Sequence, residues 1–108
     1  MDSVLFLLNS PPSNPNTNRA FDLALGLRAQ GKSVSIFLLQ DAVLSGLEVT
    51  ASSRVGRILG AGISVYALGE DLQMRGFAES ALWYGVRVAD YAQLADLFDA
   101  HARVIGAL

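Results

Sequence analysis

The fold is decided by Ala61–Gly76, which reads AGISVYALGEDLQMRG. Within it, the run Ile63–Ala67 predicts a buried strand, Gly69 a turn, and Asp71–Arg75 a short charged helix that ends at Gly76. In an open parallel sheet, ligands bind beyond the carboxyl ends of the strands. We therefore expect this stretch to form part of a functional edge, although no cysteine, histidine or serine follows the strand to act as a nucleophile.

Length and composition indicate one domain with an apolar excess. The chain has 108 residues, of which 52% are hydrophobic and 17% charged, and its mean hydropathy is +0.38. A chain of this length can bury a core without metal or disulfide support. The excess predicts a single domain over residues 1–108, built on a sheet covered on both faces, with further apolar surface buried between the subunits of a homo-oligomer.

Charge and cysteine content exclude several classes of function. Eight basic and ten acidic residues give a net charge of −2, and Lys32 is the single lysine. Without clustered basic residues, nucleic acid is not an expected partner. The chain has no cysteine, which excludes disulfides, thiolate metal sites and sulfur chemistry on its own thiol. A lone histidine, His101, does not make a metal site. We expect no metal, no cofactor, no membrane segment, and a soluble cytoplasmic protein.

Alternating strand and helix patterns predict an α/β fold. The first candidate helix is Arg19–Gln30, with Asn16 or Thr17 as its cap. The second is a helix in two pieces, at Ala42–Leu47 and Val55–Leu59, and the third is capped by Asp90 and extends to Ala100. Phe77–Tyr84 is a helical turn or an apolar loop. The predicted strands are Val4–Leu8, Ser33–Leu39, Ile63–Ala67, Gly85–Ala89, and Ala102–Leu108 at an edge, although the last could instead extend the preceding helix.

The loop Asn9–Asn18 follows the first strand and precedes a helix. Its residues are turn formers, so it is either a turn with a helix cap or a cradle that holds a ligand at the free backbone N–H groups. It contains no glycine, which excludes a P-loop or a dinucleotide fingerprint. The side chains that would contact a ligand are those of Ser10, Asn14 and Thr17.

Charged residues follow the second and third strands at the same edge. Asp41 is placed to cap a helix that starts at Ala42. Asp71 and Arg75 are spaced to form a surface ion pair on the short helix. A different interpretation is a pair of carboxylates that act as general acid and base, which would require Glu70 or Asp71 to face Asp41 across the cleft.

Trp83 and Tyr84 are adjacent large aromatic residues in a loop. They are either part of the core or a subunit contact, because aromatic residues are enriched at the centres of interfaces.

The chain resembles the DsrE/DsrF-like family, which includes subunits of bacterial sulfur-relay complexes. The likeness covers nearly the whole chain and is carried by Phe6–Pro12 (FLLNSPP), Phe37–Val43 (FLLQDAV), and Gly62–Gly69 (GISVYALG) followed by Arg75-Gly76. The resemblance implies a three-layer α/β/α sandwich with a mainly parallel five-stranded sheet, assembled as a trimer or hexamer. In relay-active members a cysteine just after the third strand carries a persulfide.

That cysteine position falls here on Leu68 or, with a shift of one residue, on Gly69. Neither residue has a nucleophile, so the resemblance carries over the fold without the sulfur-carrying step. We expect a non-catalytic homo-oligomer that is either a partner subunit in sulfur transfer, with a sulfur-relay protein as its partner, or a small-ligand protein using a cleft at Ser10, Asn14, Asp41 and Gly69. The alternative is a cysteine-free enzyme that uses carboxylates at the same edge.

Overall fold

The protein is an α/β sandwich around one parallel sheet, in a computed structural model that describes residues 2–50 and 53–106. The five strands have the spatial order β4-β3-β2-β1-β5, and every neighbouring pair is parallel. The mainly parallel five-stranded sheet expected from the sequence is confirmed. The strands are β1 (Ser3–Leu8), β2 (Ser33–Leu38), β3 (Ser64–Leu68), β4 (Arg87–Ala89) and β5 (Arg103–Ile105).

Helical segments connect the strands. The α-helices are α1 (Pro15–Ala29), α2 (Ser53–Gly60), α3 (Gly69–Met74) and α4 (Tyr91–Ala100). The described residues also form two 3₁₀-helices, of which the first spans Gln40–Gly46 and the second Glu79–Ala81. No helix of the described residues is long and apolar enough to cross a membrane.

The first face of the sheet carries the larger core. Alternate strand residues, among them Phe6, Ile36 and Val65, pack there against α1, α2 and the first 3₁₀-helix. Phe21 of α1 and Ile58 of α2 belong to the same cluster. Because apolar residues recur at helical spacing, each of these helices buries one side on the sheet.

The second face of the sheet carries a smaller core that includes one helix. Leu5, Phe37 and Leu68 are fully buried on this face, and Leu94 of α4 packs with them. Exposed apolar side chains also lie on α4 and β5, where Phe98 and Val104 are each about two-fifths exposed. The two faces together give the three-layer arrangement.

Several element ends differ from the sequence expectation. Helix α1 begins at Pro15 with Asn14 as its cap, instead of at Arg19 with Asn16 or Thr17 as the cap. Proline suits the first helical position because its ring sets the helical φ and its missing N–H has no partner there. The segment predicted as the helix Ala42–Leu47 is a 3₁₀-helix that begins at Gln40.

The structure decides between the alternatives that the sequence left open for the final segment and for Phe77–Tyr84. The final segment forms an edge strand beside β1 over Arg103–Ile105, and the end of the predicted range, residues 107–108, lies outside the described residues. The Phe77–Tyr84 stretch is a loop with one short 3₁₀ turn. The predicted cap of α4 is confirmed: the Asp90 carboxylate accepts from the Gln93 N–H, and the Gln93 side chain accepts from the Asp90 N–H, which is a capping box.

Candidate functional site

The loop after β1 is held by its own side chains. The Asn14 side chain accepts a hydrogen bond from the Asn16 N–H at 2.9 Å, which caps α1. The Thr17 hydroxyl lies 2.8 Å from the Pro11 carbonyl oxygen and 3.3 Å from that of Ser10. Because Thr17 is fully buried, these contacts tie the loop to the first turn of the helix. The geometry is that of the turn and cap interpretation.

Arg75 joins the loops that follow β2 and β3. Its Nε and Nη2 atoms donate to Asp41 Oδ1 at 3.1 and 2.9 Å. Its Nη1 donates to the Asp71 carbonyl oxygen at 3.1 Å and lies 3.8 Å from the Asp71 carboxylate. We call these three residues the arginine bridge. A guanidinium that contacts one carboxylate through two nitrogens is geometrically defined as well as charged.

Asp71 makes a further contact that the sequence did not predict. Its Oδ2 accepts a hydrogen bond from the Gln40 N–H at 2.6 Å. Gln40 has a φ of 51°, the one positive φ among the described non-glycine residues. Residues other than glycine pay a conformational cost in this left-handed region. The Asp71 carboxylate therefore stabilises a strained connection between β2 and the first 3₁₀-helix.

The prediction that Asp41 caps a helix starting at Ala42 is wrong. Leu39 is the residue at the cap position of the first 3₁₀-helix, and no side chain caps it. Asp41 instead lies in the first turn and pairs with Arg75. Of the three carboxylates considered as a general acid and base, Asp41 and Asp71 do converge, but a guanidinium lies between them. Glu70 is exposed to solvent.

Leu68 and Gly69 lie in different surroundings although they are adjacent. Leu68 is the last residue of β3, and its side chain is fully buried in the second-face core. Gly69 lines a cavity of about 430 Å³ together with Leu72, Phe77 and Val88. The strand was predicted to end at Ala67, and it instead includes Leu68. The cavity begins one residue later, at Gly69.

The two aromatic residues of the loop before β4 have separate environments. Trp83 is half-buried and packs against the first-face core, near Gly56 of α2. Its indole N–H is buried and has no hydrogen-bond partner in the described part of the chain. The Tyr84 side chain is fully exposed.

Sequence reasoning missed one polar pair. His101 follows α4, and its Nδ1 lies 2.7 Å from the Leu97 carbonyl oxygen while Nε2 lies 2.9 Å from the Ser35 hydroxyl. A carbonyl can only accept, so Nδ1 carries the proton and, in the neutral ring, Nε2 accepts from the hydroxyl. Ser35 is 7% exposed, so this serine is enclosed on the second face. We assign the pair to anchoring the end of α4 on β2.

Residues that could hold a metal ion are not clustered: the described residues contain no group of three histidine or acidic side chains in reach of one ion.

The chain is similar in fold to solved structures from bacteria and an archaeon. The ychN protein of E. coli has a TM-score of 0.90 at 20% identity, with 99% of this chain and 100% of that one covered. MTH1491 from Methanobacterium thermoautotrophicum has a TM-score of 0.84 at 16% identity over 99% and 100%. BT1422 from Bacteroides thetaiotaomicron has a TM-score of 0.79 at 18% identity over 98% and 95%. At these identities the likeness shows the fold alone.

The family comparison covers most of the chain. The family model described as "DsrH like protein" matches residues 14–104. No curated protein matches the chain.

Proposed function

The chain belongs to the DsrH-like family, and from that membership we propose that it is a non-catalytic partner subunit in intracellular sulfur transfer, located in the cytoplasm. The family supports a role related to sulfur relay and a protein partner in general. Our proposal adds that this chain binds a sulfur-carrying protein without carrying sulfur itself.

The observation that carries the proposal is the contrast between Leu68 and Gly69. The position where relay-active relatives are expected to hold a cysteine is here a leucine whose side chain is buried in the core. The 108 residues contain no thiol elsewhere. The cavity at Gly69 nevertheless remains beside that position. A volume of about 430 Å³ lies in the range of binding pockets, so a partner's side chain can enter it.

The arginine bridge supports binding over acid–base catalysis. A general acid or base must exchange a proton with a substrate, whereas Asp41 and Asp71 are both engaged with Arg75. Asp71 also accepts from a backbone N–H. These contacts hold the ends of β2 and β3 together, which shapes the edge next to Gly69. The competing function, a carboxylate enzyme, would require substrate to displace them.

We further propose a homo-oligomer, a trimer or hexamer, with a contact at what we call the Tyr84 patch, formed by Trp83 and Tyr84. Tyr84 is 100% exposed, and Trp83 before it is half-buried. The segment that carries them is held by an antiparallel bridge between Leu82 and Leu47 and by a hydrogen bond from the Trp83 N–H to the Gly46 carbonyl oxygen. Exposed apolar side chains on a braced segment favour a subunit contact.

The oligomer is tested by light scattering coupled to size-exclusion chromatography. We expect a mass three or six times the 11.5 kDa of the chain, and a lower mass for Tyr84→Arg. Tyr91→Arg is the matched control, because Tyr91 is an exposed tyrosine on α4, outside the patch. A wild-type monomer, or equal effects of the two variants, would contradict the contact.

The relay role is tested by binding and by mass. A purified relay protein that carries a persulfide should bind this chain in calorimetry, while intact-mass spectrometry should find no sulfur added to this chain. Ala78→Trp should weaken binding because Ala78 is exposed and lines the cavity. Ala92→Trp, exposed on α4, is the control. Added sulfur on the wild type, or binding insensitive to Ala78→Trp, would refute the proposal.

A further inference from the structure

A row of three side chains crosses the second face of the sheet at its β4 edge. Phe37, Tyr66 and Arg87 are successive partners in the register of β2, β3 and β4. The rings of Phe37 and Tyr66 are stacked, with centroids 6.1 Å apart and planes inclined by 15°. The Arg87 guanidinium carbon lies 6.0 Å from the centre of the Tyr66 ring. Stacking on an aromatic face positions a guanidinium and leaves its N–H edge free to bind a carboxylate.

Helix α4 lies opposite this row and forms with it a cavity of about 360 Å³ that is open to solvent, with the exposed side chains of Arg87, Gln93 and Asp96 in its wall. The helix contributes Gln93, Asp96 and Leu97 to the lining, and Tyr66 and Arg87 contribute from the sheet. The volume is at the lower end of the range for small-molecule sites. A molecule the size of an amino acid therefore fits.

The cavity lining includes one positively charged and one negatively charged side chain, Arg87 and Asp96, which do not form an ion pair with each other. The ion pairs formed among the described residues include neither Arg87 nor Asp96. Gln93 is fixed, because its Oε1 accepts from the Asp90 N–H at 2.9 Å, and this leaves its amide NH₂ as a donor. The wall thus offers a carboxylate on α4, a guanidinium on β4, and apolar surface from Tyr66 and Leu97.

We propose that this cavity binds a free α-amino acid with an aromatic side chain. The ligand carboxylate pairs with Arg87, its ammonium group pairs with Asp96, and its side chain packs against Tyr66 and Leu97. A simple carboxylate would meet the Asp96 charge, and a simple amine would meet that of Arg87, so the zwitterion is favoured over either. Val88 borders both this cavity and the Gly69 cavity, but none of the residues that contact the ligand here lines the Gly69 cavity, and the proposal does not depend on the role in sulfur transfer.

The test uses ¹H–¹⁵N NMR titration of the full chain with three matched probes: L-phenylalanine, 3-phenylpropionate and phenethylamine. We expect saturable shifts at Tyr66, Arg87 and Asp96 with phenylalanine. Because Arg87 and Asp96 are exposed, loss of either charged group from the probe should weaken binding by up to about fivefold, the effect of losing one solvent-exposed ion pair. Equal binding of phenylalanine and 3-phenylpropionate, no saturable shift with phenylalanine, or shifts confined to other residues would overturn the proposal.

Charge-removing variants locate the site. Arg87→Gln and Asp96→Asn should each weaken phenylalanine binding by up to about fivefold. Their controls are Arg103→Gln, on the opposite edge strand, and Asp99→Asn, on the same helix; both residues are exposed and lie outside the cavity lining. For each variant, an NMR spectrum that matches that of the wild type away from the site verifies that the variant is folded. Binding that survives Arg87→Gln, or falls equally in Arg103→Gln, would show that the cavity does not recognise the zwitterion.

Discussion

Replacing Asp71 by alanine should destabilise the protein more than replacing its neighbour in the arginine bridge, Asp41. The Asp71 side chain is only 15% exposed and accepts from the Gln40 N–H at 2.6 Å. The Asp41 side chain is 56% exposed, and among the described residues its hydrogen bonds and ion pair go to Arg75. The difference between the two variants therefore measures the support that Asp71 gives to the strained backbone at Gln40.

The magnitude follows from the contacts that each variant removes. A hydrogen bond to a charged acceptor contributes about 1.5–3 kcal/mol, and an ion pair four residues apart on a helix adds about 0.3–0.5 kcal/mol. Gln40 is exposed, so water replaces part of the lost bond and the lower values apply. We expect Asp71→Ala to lower the free energy of unfolding by about 2 kcal/mol, and Asp41→Ala by less than about 1 kcal/mol.

The assay is urea denaturation followed by far-ultraviolet circular dichroism, at one protein concentration so that association does not alter the comparison. Asp71→Asn keeps an oxygen that can accept from Gln40, so it should recover part of the loss. If Asp71→Ala costs no more than Asp41→Ala, the reasoning about Gln40 is refuted. If Asp71→Asn is as unstable as Asp71→Ala, the hydrogen bond is not the cause.

Three further predictions concern other parts of the molecule. In Gly69→Cys the new thiol should react with Ellman's reagent at least about tenfold faster than in Leu68→Cys, because Gly69 lines a cavity whereas Leu68 is buried. The new Cβ would lie 3.0 Å from Val88 Cγ1, so the Val88 side chain must shift slightly to admit it; equal rates for the two thiols would contradict this prediction. Thr17→Val should lower the free energy of unfolding by about 1–2 kcal/mol, since a buried hydroxyl loses its carbonyl partners, whereas Thr17→Ser should lose less; equal losses would argue against the bonds. The hydrogen bond from Lys32 lowers the pKa of Asp2 below 3.8, so the stabilisation that this contact gives is complete above pH 3.8 and is lost as the pH falls through the lowered pKa. The stabilities of wild type and Asp2→Asn, measured by thermal unfolding as a function of pH, should therefore converge at pH values below the lowered pKa. A difference that stays constant with pH would contradict the linkage.

The strands were predictable because continuous apolar runs bounded by turn residues describe a sheet that is buried on both faces. Val4–Leu8 and Ser33–Leu39 match the observed β1 and β2 within one residue at each end. The Asp90 cap was equally readable, since Asp90 and Gln93 have the spacing of a capping box. Such signals lie within a few residues of each other, so they do not depend on the rest of the chain.

The candidate site was only partly predictable. The sequence placed Asp41, Asp71 and Arg75 at one edge, and the structure brings them together there. It did not indicate that Arg75 would bind Asp41, because that contact joins residues 34 positions apart. The loop with Ser10, Asn14 and Thr17 forms a turn with a helix cap, which was one of two alternatives, although the capping residue is Asn14 and the helix begins earlier than expected. Contact of these side chains with a ligand stays a prediction.

The sequence by itself determined that this chain has an α/β fold and no thiol, because composition and local apolar patterns fix what must be buried and which chemistry is missing. Those patterns left the fifth strand open between an edge strand and an extension of the last helix, and the five-stranded sheet was implied by the family resemblance. Tertiary structure alone decided where each side chain of Ala61–Gly76 points. Strand β3 extends to Leu68 and buries it, while Gly69 lines a cavity. The physical reason is that β3 lies between β2 and β4, and this register assigns alternate residues to opposite faces.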